Sequence, residues 1–397
     1  MRRAIIATFA TCLVMLAIFT GLFEILNPKN NKETLKVGFI YDNDESTAYT
    51  YNFSLAKDAL EKKYADRIEI LTCSNVLDDE MEEPLRDLAG NGCDIIFFNG
   101  YSEMVKELAD EYPETQFCQT SYMDMQGVSV PSNYHTFKGE AYQGRYVSGI
   151  VAGMKLEQMI SEGILKDDDA LVGFVAAYPT PEVISGYTAF VLGVRSVVPK
   201  AKMLVSYTNT WSSYAHEKSA AQDLIKKGCV IISQHTDTIG PAIACEEFTQ
   251  TKDVYFVGYN QSMSEVAPIS SLITSRICWE PYILGAVDAV MRNKRIEEVV
   301  EGNVHGSDMS AGFEKGWVEV IDLNLQVCAP GTGDAIDAVI EKFKKGRKDF
   351  VYRGDYKGTD PDNKADTIDL KTAYIENKNT SYPLFHYILD DVITIVK

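Results

Sequence analysis

Short apolar runs alternate with helical patterns along most of the chain. The first series predicts strands at 36–41, 67–71, 94–98 and 115–118, and helices at 49–63, 79–89 and 103–111. A long helix predicted at 138–160 interrupts the alternation. The second series predicts strands at 170–175, 201–206, 229–233 and 253–257, with a helix between each pair. The runs are continuously apolar, which is typical of parallel strands that are covered by helices on both faces.

Two such series of similar length predict two doubly wound α/β lobes. Open parallel sheets of this kind bind ligands beyond the carboxyl ends of their strands. Two of them facing each other would form a cleft between lobes, which is a common place for small-molecule sites. The pattern therefore predicts a two-lobed protein with its site between the lobes.

The first 34 residues have a different pattern. Arg2 and Arg3 precede an uncharged segment, residues 4–23, which is long enough to span a bilayer. A cleaved signal peptide has a shorter apolar core, and small residues are poorly spaced for cleavage here. We expect an uncleaved signal anchor; a cleaved signal peptide and a buried helix are the alternatives. The flanking arginines predict a plasma-membrane protein whose residues after about 27 are extracytoplasmic.

Composition narrows the classes of partner. Asp and Glu number 57 against 38 Lys and Arg, for a formal net charge of −19, which disfavours binding to nucleic acid. Eight cysteines are too few for a disulfide scaffold, and none has zinc-site spacing. Cys93 and Cys229 lie beside apolar runs, where a small buried side chain is expected. We expect no metal and no cofactor.

Sequence motifs of common enzymes are absent. The chain has neither a dinucleotide-binding nor a phosphate-binding glycine loop, and no nucleophile elbow or zinc-protease motif. Its five histidines are scattered. We therefore predict a binding protein; a hydrolase on the same two-lobed scaffold is an alternative of a different class.

Aromatic, amide and carboxylate residues cluster just after the predicted strands. Ring faces can stack on a flat heteroaromatic ligand, and amides and carboxylates can bond its edges. For any one of these residues, packing at the lobe surface is the alternative. The candidate ligand-binding residues are Tyr49, Asn99, Tyr101, Tyr178, Glu182, Trp211, Gln234, His235, Asp237 and Asn260.

Three segments carry a family resemblance. Residues 137–153 contain the pattern Y-Q-x-R-Y-x-x-G-I-V-A-G, and residues 176–184 read A-A-Y-P-x-P-E-V-I. Trp211 is followed by Glu217-Lys218 and then by the sequence Q-H-T-D at 234–237. The chain resembles the basic membrane protein family, the purine-nucleoside-receptor-like substrate-binding proteins of ABC importers.

This resemblance implies a type I periplasmic-binding-protein fold, with two doubly wound parallel-sheet lobes joined by three crossings and a hinge. The implied divisions are 1–34 for the anchor and tether, 35–137 plus about 279–320 for lobe 1, and 138–278 plus about 321–397 for lobe 2. It also implies a purine base or nucleoside as ligand, ABC permease subunits as partners, and no catalysis. A membrane-anchored sensory receptor for the same ligand class, without transport, is the alternative.

Departures from the family pattern refine the expected ligand. Ser46 stands where nucleoside-binding members have Asp, although Tyr49 keeps the aromatic position. Residues 258–262 lack the Asp that grips a ribose, and the expected lysine is replaced by Cys278 or Trp279. Trp279 joins the candidate ligand-binding residues. The resemblance is then closer to the branch that binds free bases such as adenine.

Overall fold

A computed structural model describes residues 34–396 as two α/β lobes. The first sheet has seven strands in the order β11-β12-β5-β4-β3-β1-β2. Strands β1, β3, β4, β5 and β12 run parallel, and β11 is antiparallel to β12. Its strands are β1 Leu35–Ile40, β2 Ile68–Cys73, β3 Ile95–Phe98, β4 Gln116–Thr120, β5 Tyr134–Gly139, β11 Asn303–His305 and β12 Asp308–Ala311. Its helices are α1 Ala48–Tyr64, α2 Glu82–Gly90, α3 Val105–Glu111, α8 Glu280–Met291 and α9 Ile296–Val299.

The second sheet also has seven strands, in the order β13-β10-β9-β8-β6-β7-β17, with β13 antiparallel. Its strands are β6 Leu171–Ala176, β7 Lys202–Tyr207, β8 Ile231–His235, β9 Tyr255–Tyr259, β10 Ser271–Ile277, β13 Val318–Ile321 and β17 Ile393–Val396. Its helices are α4 Ala141–Ser161, α5 Pro181–Arg195, α6 Tyr214–Lys226, α7 Gly240–Phe248 and α10 Thr332–Lys344. The two predicted parallel-sheet lobes are confirmed.

Within residues 34–396, the chain passes between the two sheets three times. It crosses at Glu140, between β5 and α4, at 278–279, between β10 and α8, and at 312–317, between β12 and β13. The predicted lobe boundaries were 137, 278 and 320. Residues 138–139, which were assigned to lobe 2, belong to β5 of the first sheet. Residues 318–320, which were assigned to lobe 1, belong to β13 of the second sheet.

Helices α4 and α5 pack unusually closely in lobe 2. A Cβ atom on Gly149 would lie 2.1 Å from the carbonyl oxygen of Phe190, and one on Gly193 would lie 2.2 Å from that of Tyr146. Glycine at both positions lets the two backbones meet directly. This close contact fixes α5, whose first turn faces the space between the lobes.

The sequence pattern predicts no strand at the position of β5, and it places the last two residues of this strand, 138 and 139, in a helix. The sequence Tyr134–Gly139 contains polar residues, yet every residue in it is buried. His135 contacts Glu297 (2.8 Å), and the Thr136 hydroxyl donates to Asp308 (2.7 Å). The partners come from segments more than 160 residues away. A prediction from local periodicity does not include contacts with such distant residues, so it does not identify this polar segment as a buried strand.

The last part of the chain adds a small sheet and a loop that reaches lobe 1. The small sheet consists of β14 Lys357–Thr359, β15 Thr367–Asp369 and β16 Ile388–Leu389. Buried Glu376 accepts from the Ser185 hydroxyl of α5 (2.7 Å). Five residues later, the Ser381 N–H donates to Asp308 of β12 (2.6 Å). This segment therefore contacts both lobes at once.

No disulfide bond joins the cysteines within residues 34–396, and Cys93 and Cys229 are buried as predicted. No helix in that range has the length and apolar character needed to cross a membrane. The predicted anchor at 4–23 lies outside the described residues.

Candidate functional site

A cavity with about 450 Å³ of unoccupied space lies between the lobes, at the carboxyl ends of both sheets. Lobe 1 contributes residues that follow β1 and β4, the first turn of α1, and the end of β5. Lobe 2 contributes the first turn of α5 and residues at or after the ends of β7, β8 and β9. The lining residues are Asp42, Tyr49, Tyr122, Lys138, Glu182, Trp211, His235, Asp237 and Tyr259.

On lobe 1, hydrogen bonds to neighbouring strand ends hold the lining residues. The backbone N–H of Asp42 donates to Asn99 Oδ1 (2.9 Å), and its carboxylate accepts from the Thr50 hydroxyl (3.1 Å). The Tyr49 hydroxyl donates to Thr120 (3.3 Å), at the end of β4. These bonds fix a carboxylate and an aromatic ring side by side.

On lobe 2, one buried carboxylate joins the two loops that carry Trp211 and Asp237. Glu217 accepts from the backbone N–H of Ser213 (2.9 Å) and from both the N–H and the hydroxyl of Thr238 (3.1 and 2.7 Å). The Asp237 N–H donates directly to the Trp211 carbonyl (2.9 Å). A buried charge with several donors is costly to disrupt, so Glu217 positions both residues.

The lobes contact each other around the cavity. Lys138 of β5 forms an ion pair with Glu182 of α5 (2.8 Å), and it also donates to the carbonyl of Ser121 (3.1 Å). The Ala48 N–H, at the start of α1, donates to the Asp237 carbonyl (3.1 Å). The backbone N–H of Tyr49 also donates a hydrogen bond to the Asp237 carboxylate. Such contacts belong to a closed arrangement of the two lobes.

Three carboxylates and one ammonium group surround the cavity. Burial, together with Asp42, Glu217 and Glu182, holds the pKa of Asp237 well above its usual range. Burial also raises the pKa of Asp42. This excess of acidic groups opposes a phosphate or another anionic ligand, because like charges in a partly buried site repel strongly.

His235 is held in its neutral form. Burial and then the positive charges of Arg145 and Lys138 keep its pKa well below the ordinary value. Its ring centroid lies 4.6 Å from that of Tyr259. Behind it, the buried Arg145 guanidinium stacks 3.5 Å from the Tyr259 ring centroid, and burial lowers its pKa to about 10. A neutral imidazole can donate at one nitrogen and accept at the other.

Five of the eleven predicted ligand-binding residues line the cavity: Tyr49, Glu182, Trp211, His235 and Asp237. Tyr49, His235 and Glu182 are partly or fully buried, whereas Trp211 is 39% exposed. An exposed indole beside a cavity has a ring face available for a ligand.

Three predicted amides lie behind the cavity wall and support its loops. Asn99 accepts from Asp42, as described above. Gln234 donates to the carbonyls of Thr236 and Thr238 (2.8 and 2.9 Å). Asn260, in a left-handed turn with φ 60°, accepts from the Ile277 N–H (3.4 Å). These amides satisfy backbone groups at strand ends, a role that residue type alone does not distinguish from ligand binding.

The three remaining predicted residues are aromatic and lie around the cavity without lining it. Trp279 is buried, and its ring lies 5.8 Å from that of Tyr49, edge to face. Tyr178 packs edge to face on Trp211 at 5.5 Å. Tyr101 lies 6.0 Å from Tyr122 and lines a neighbouring cavity in lobe 1. Each of the three thus packs against a ring that does line the site.

Sequence reasoning missed four lining residues: Asp42, Tyr122, Lys138 and Tyr259. Asp42 and Tyr259 directly follow or end strands, so the rule that selected the other candidates could have found them. Lys138 was assigned to a helix and is instead in β5. Tyr122 follows β4 by two residues, in a segment with no recognised pattern.

Possible metal ligands occur elsewhere. Within residues 34–396, Asp360, Asp366 and His386 bring ligand atoms together in the C-terminal segment. The His386 Nε2 lies 3.9 and 3.8 Å from the two carboxylates, and its Nδ1 contacts the Leu384 carbonyl (2.7 Å). These contacts already form an acid–histidine cluster. None of these residues lines the interlobe cavity.

Comparison with known proteins gives a family and two relatives. Residues 35–348 match the family described as ABC transporter substrate-binding protein, PnrA-like. A purine-binding protein of Brucella abortus is 29% identical over 264 residues, which cover 66% of this chain and 70% of that protein. An ABC transporter glucose-binding protein of Haloferax volcanii is 26% identical over 287 residues, or 72% of this chain and 66% of the relative.

Solved structures show the same fold. A solute-binding protein of an ABC transporter system from Aeropyrum pernix superimposes with a TM-score of 0.62 at 14% identity. The match covers 79% of this chain and 92% of that one. The expected periplasmic-binding-protein-like fold, with two parallel-sheet lobes, is confirmed.

Neutral His235 makes stability depend on pH. The unfolded chain takes up a proton near pH 6.5, whereas folded His235 takes it up only at much lower pH. Its contribution to stability is therefore complete above pH 6.5 and is lost as the pH falls. Relative to H235Q, we expect the wild-type free energy of unfolding to fall by up to about 1.4 kcal/mol per pH unit below 6.5.

Urea denaturation of both proteins between pH 5 and 7.5 measures this difference. The other titrating groups are present in both proteins, so the comparison isolates the imidazole. Parallel stability curves over this range would show that folded His235 binds its proton normally.

Proposed function

We propose that this chain, which belongs to the family of PnrA-like ABC transporter substrate-binding proteins, binds a free purine base in the cavity between its lobes. The family role is solute binding rather than catalysis, and it entails an ABC transporter as partner. Membership therefore favours delivery to a permease over the sensory role. The purine assignment goes further than the family.

The observation that carries this proposal is the set of rings on opposite walls of one cavity. Tyr49 and Tyr122 belong to lobe 1, and Trp211 and Tyr259 belong to lobe 2. A planar heterocycle between them can be contacted by rings from both lobes when these close. Aromatic pairs of this kind contribute about 0.5–1.5 kcal/mol each beyond the area they bury.

The polar groups suit a neutral, nitrogen-rich ring. Asp237, with its raised pKa, can hold a proton and donate it to a ring nitrogen, or can accept from an exocyclic amine. His235 offers one donor and one acceptor. The carboxylates of Asp42 and Glu182 disfavour a nucleotide, because a phosphate would add negative charge beside them. The Brucella relative supports the same ligand class.

Trp211 provides the most direct mutational test. Replacing it with alanine removes the most exposed ring on the cavity wall, and we expect W211A to bind adenine at least tenfold more weakly, or about 1.4 kcal/mol. Y214A is the matched control, because Tyr214 is an exposed aromatic residue three positions later that does not line the cavity.

Titration calorimetry of the full chain in mild detergent, with adenine, adenosine and glucose, measures these affinities. Adenine binding that W211A retains unchanged would remove stacking on Trp211 from the account. Glucose binding without adenine binding would instead assign the ligand class of the Haloferax relative.

We further propose that residues 4–23 anchor the protein in the plasma membrane, with the two lobes outside the cytoplasm. The support is the 20-residue uncharged run preceded by Arg2 and Arg3. We expect the full-length protein to stay in the membrane pellet after alkaline carbonate washing and to be digested by protease added to intact spheroplasts. Release into the wash, or a mature chain that begins after residue 20, would contradict an uncleaved anchor.

A further inference from the structure

A second cavity adjoins the interlobe site within lobe 1. It contains about 610 Å³ of unoccupied space, more than the interlobe cavity. Among the residues that line the two cavities, Tyr122 is common to both. Its side chain therefore stands where the two spaces meet.

Tyr122 is held in this position at its tip and along its ring. Its hydroxyl donates to the backbone carbonyl of Asn99, at the end of β3. The Tyr101 ring packs against it at 6.0 Å, and the Lys138 ammonium lies 5.7 Å from its ring centroid. Tyr122 is nevertheless 37% exposed and lines both cavities, so it separates them without being part of the packed core.

The second cavity is chemically different from the first. Its walls carry the hydroxyl groups of Tyr101, Ser102, Tyr134 and Thr136, together with the charged residues Glu103 and Lys106. The Gln119 amide also lines it but is already engaged, because it accepts from the Tyr134 hydroxyl (2.5 Å) and donates to the Gly100 carbonyl (3.0 Å). Hydroxyl groups can both donate to and accept from the hydroxyls of a sugar ring. The interlobe cavity is lined mainly by rings and charged groups.

We propose that Tyr122 determines ligand specificity by separating these cavities, so that the site admits a base but not a base that carries a sugar. The inference rests on the proposed function, since it concerns which purines the same cavity takes. Removing the phenol ring would join the two spaces. The sugar of a nucleoside could then extend past position 122 toward the hydroxyl-bearing residues of the second cavity.

The test compares adenine and adenosine affinities in the full chain. We expect the wild type to prefer adenine, and Y122A to shift the ratio of the two dissociation constants toward adenosine by at least tenfold. Y122F keeps the ring and loses only the hydroxyl, so it should keep the wild-type ratio. The ratio is the decisive quantity, because Y122A also removes a contact to the base and weakens both ligands.

The wild type alone provides a second measurement, independent of how the variants fold. Adenines with methyl, ethyl and ribosyl groups at N9 should bind progressively more weakly as the substituent grows. Equal affinity of the wild type for adenine and adenosine, or a Y122A ratio equal to the wild-type ratio, would overturn the role of Tyr122. No binding of any purine by the wild type would instead overturn the proposed function.

Discussion

The opposition of two parallel sheets, each with the carboxyl ends of its strands toward the other, is the constraint on which the rest of the structure depends. Parallel strands end with backbone groups that lack partners in the ladder, so residues at or just after the strand ends must satisfy them. Asn99, Gln234 and Asn260 do so. With these groups paired, the rings and carboxylates beside them are left to face the space between the lobes.

Charge then limits what that space can hold. The single ammonium group on the wall, Lys138, is already paired with Glu182 across the lobes. Asp42 and Asp237 have no comparable partner on the wall, and burial raises the pKa of both carboxyls. An uncharged ligand avoids further repulsion. The same ion pair also joins β5 to α5, so closure and electrostatics depend on the same two residues.

The fold could be predicted from the sequence because its strands are continuous apolar runs, which need no knowledge of distant residues. The site could be predicted only in part. The strand that carries Lys138 contains polar residues whose partners lie far away in sequence, so local patterns do not identify it. Tyr122 acts through its position between two cavities, which the sequence does not show. Ligand-facing and loop-supporting amides, such as Gln234, look alike until their hydrogen bonds are known.

Intrinsic fluorescence tests the central claim, a planar ring stacked on the cavity wall, most directly. The chain has three tryptophans, and Trp279 and Trp317 are buried at 1% exposure, whereas Trp211 lies at the cavity. Titration with adenine should quench the emission of the wild-type protein to saturation, and W211F should lack that response. Saturable binding of adenine that leaves the Trp211 emission unchanged, or no binding at all, would contradict the account.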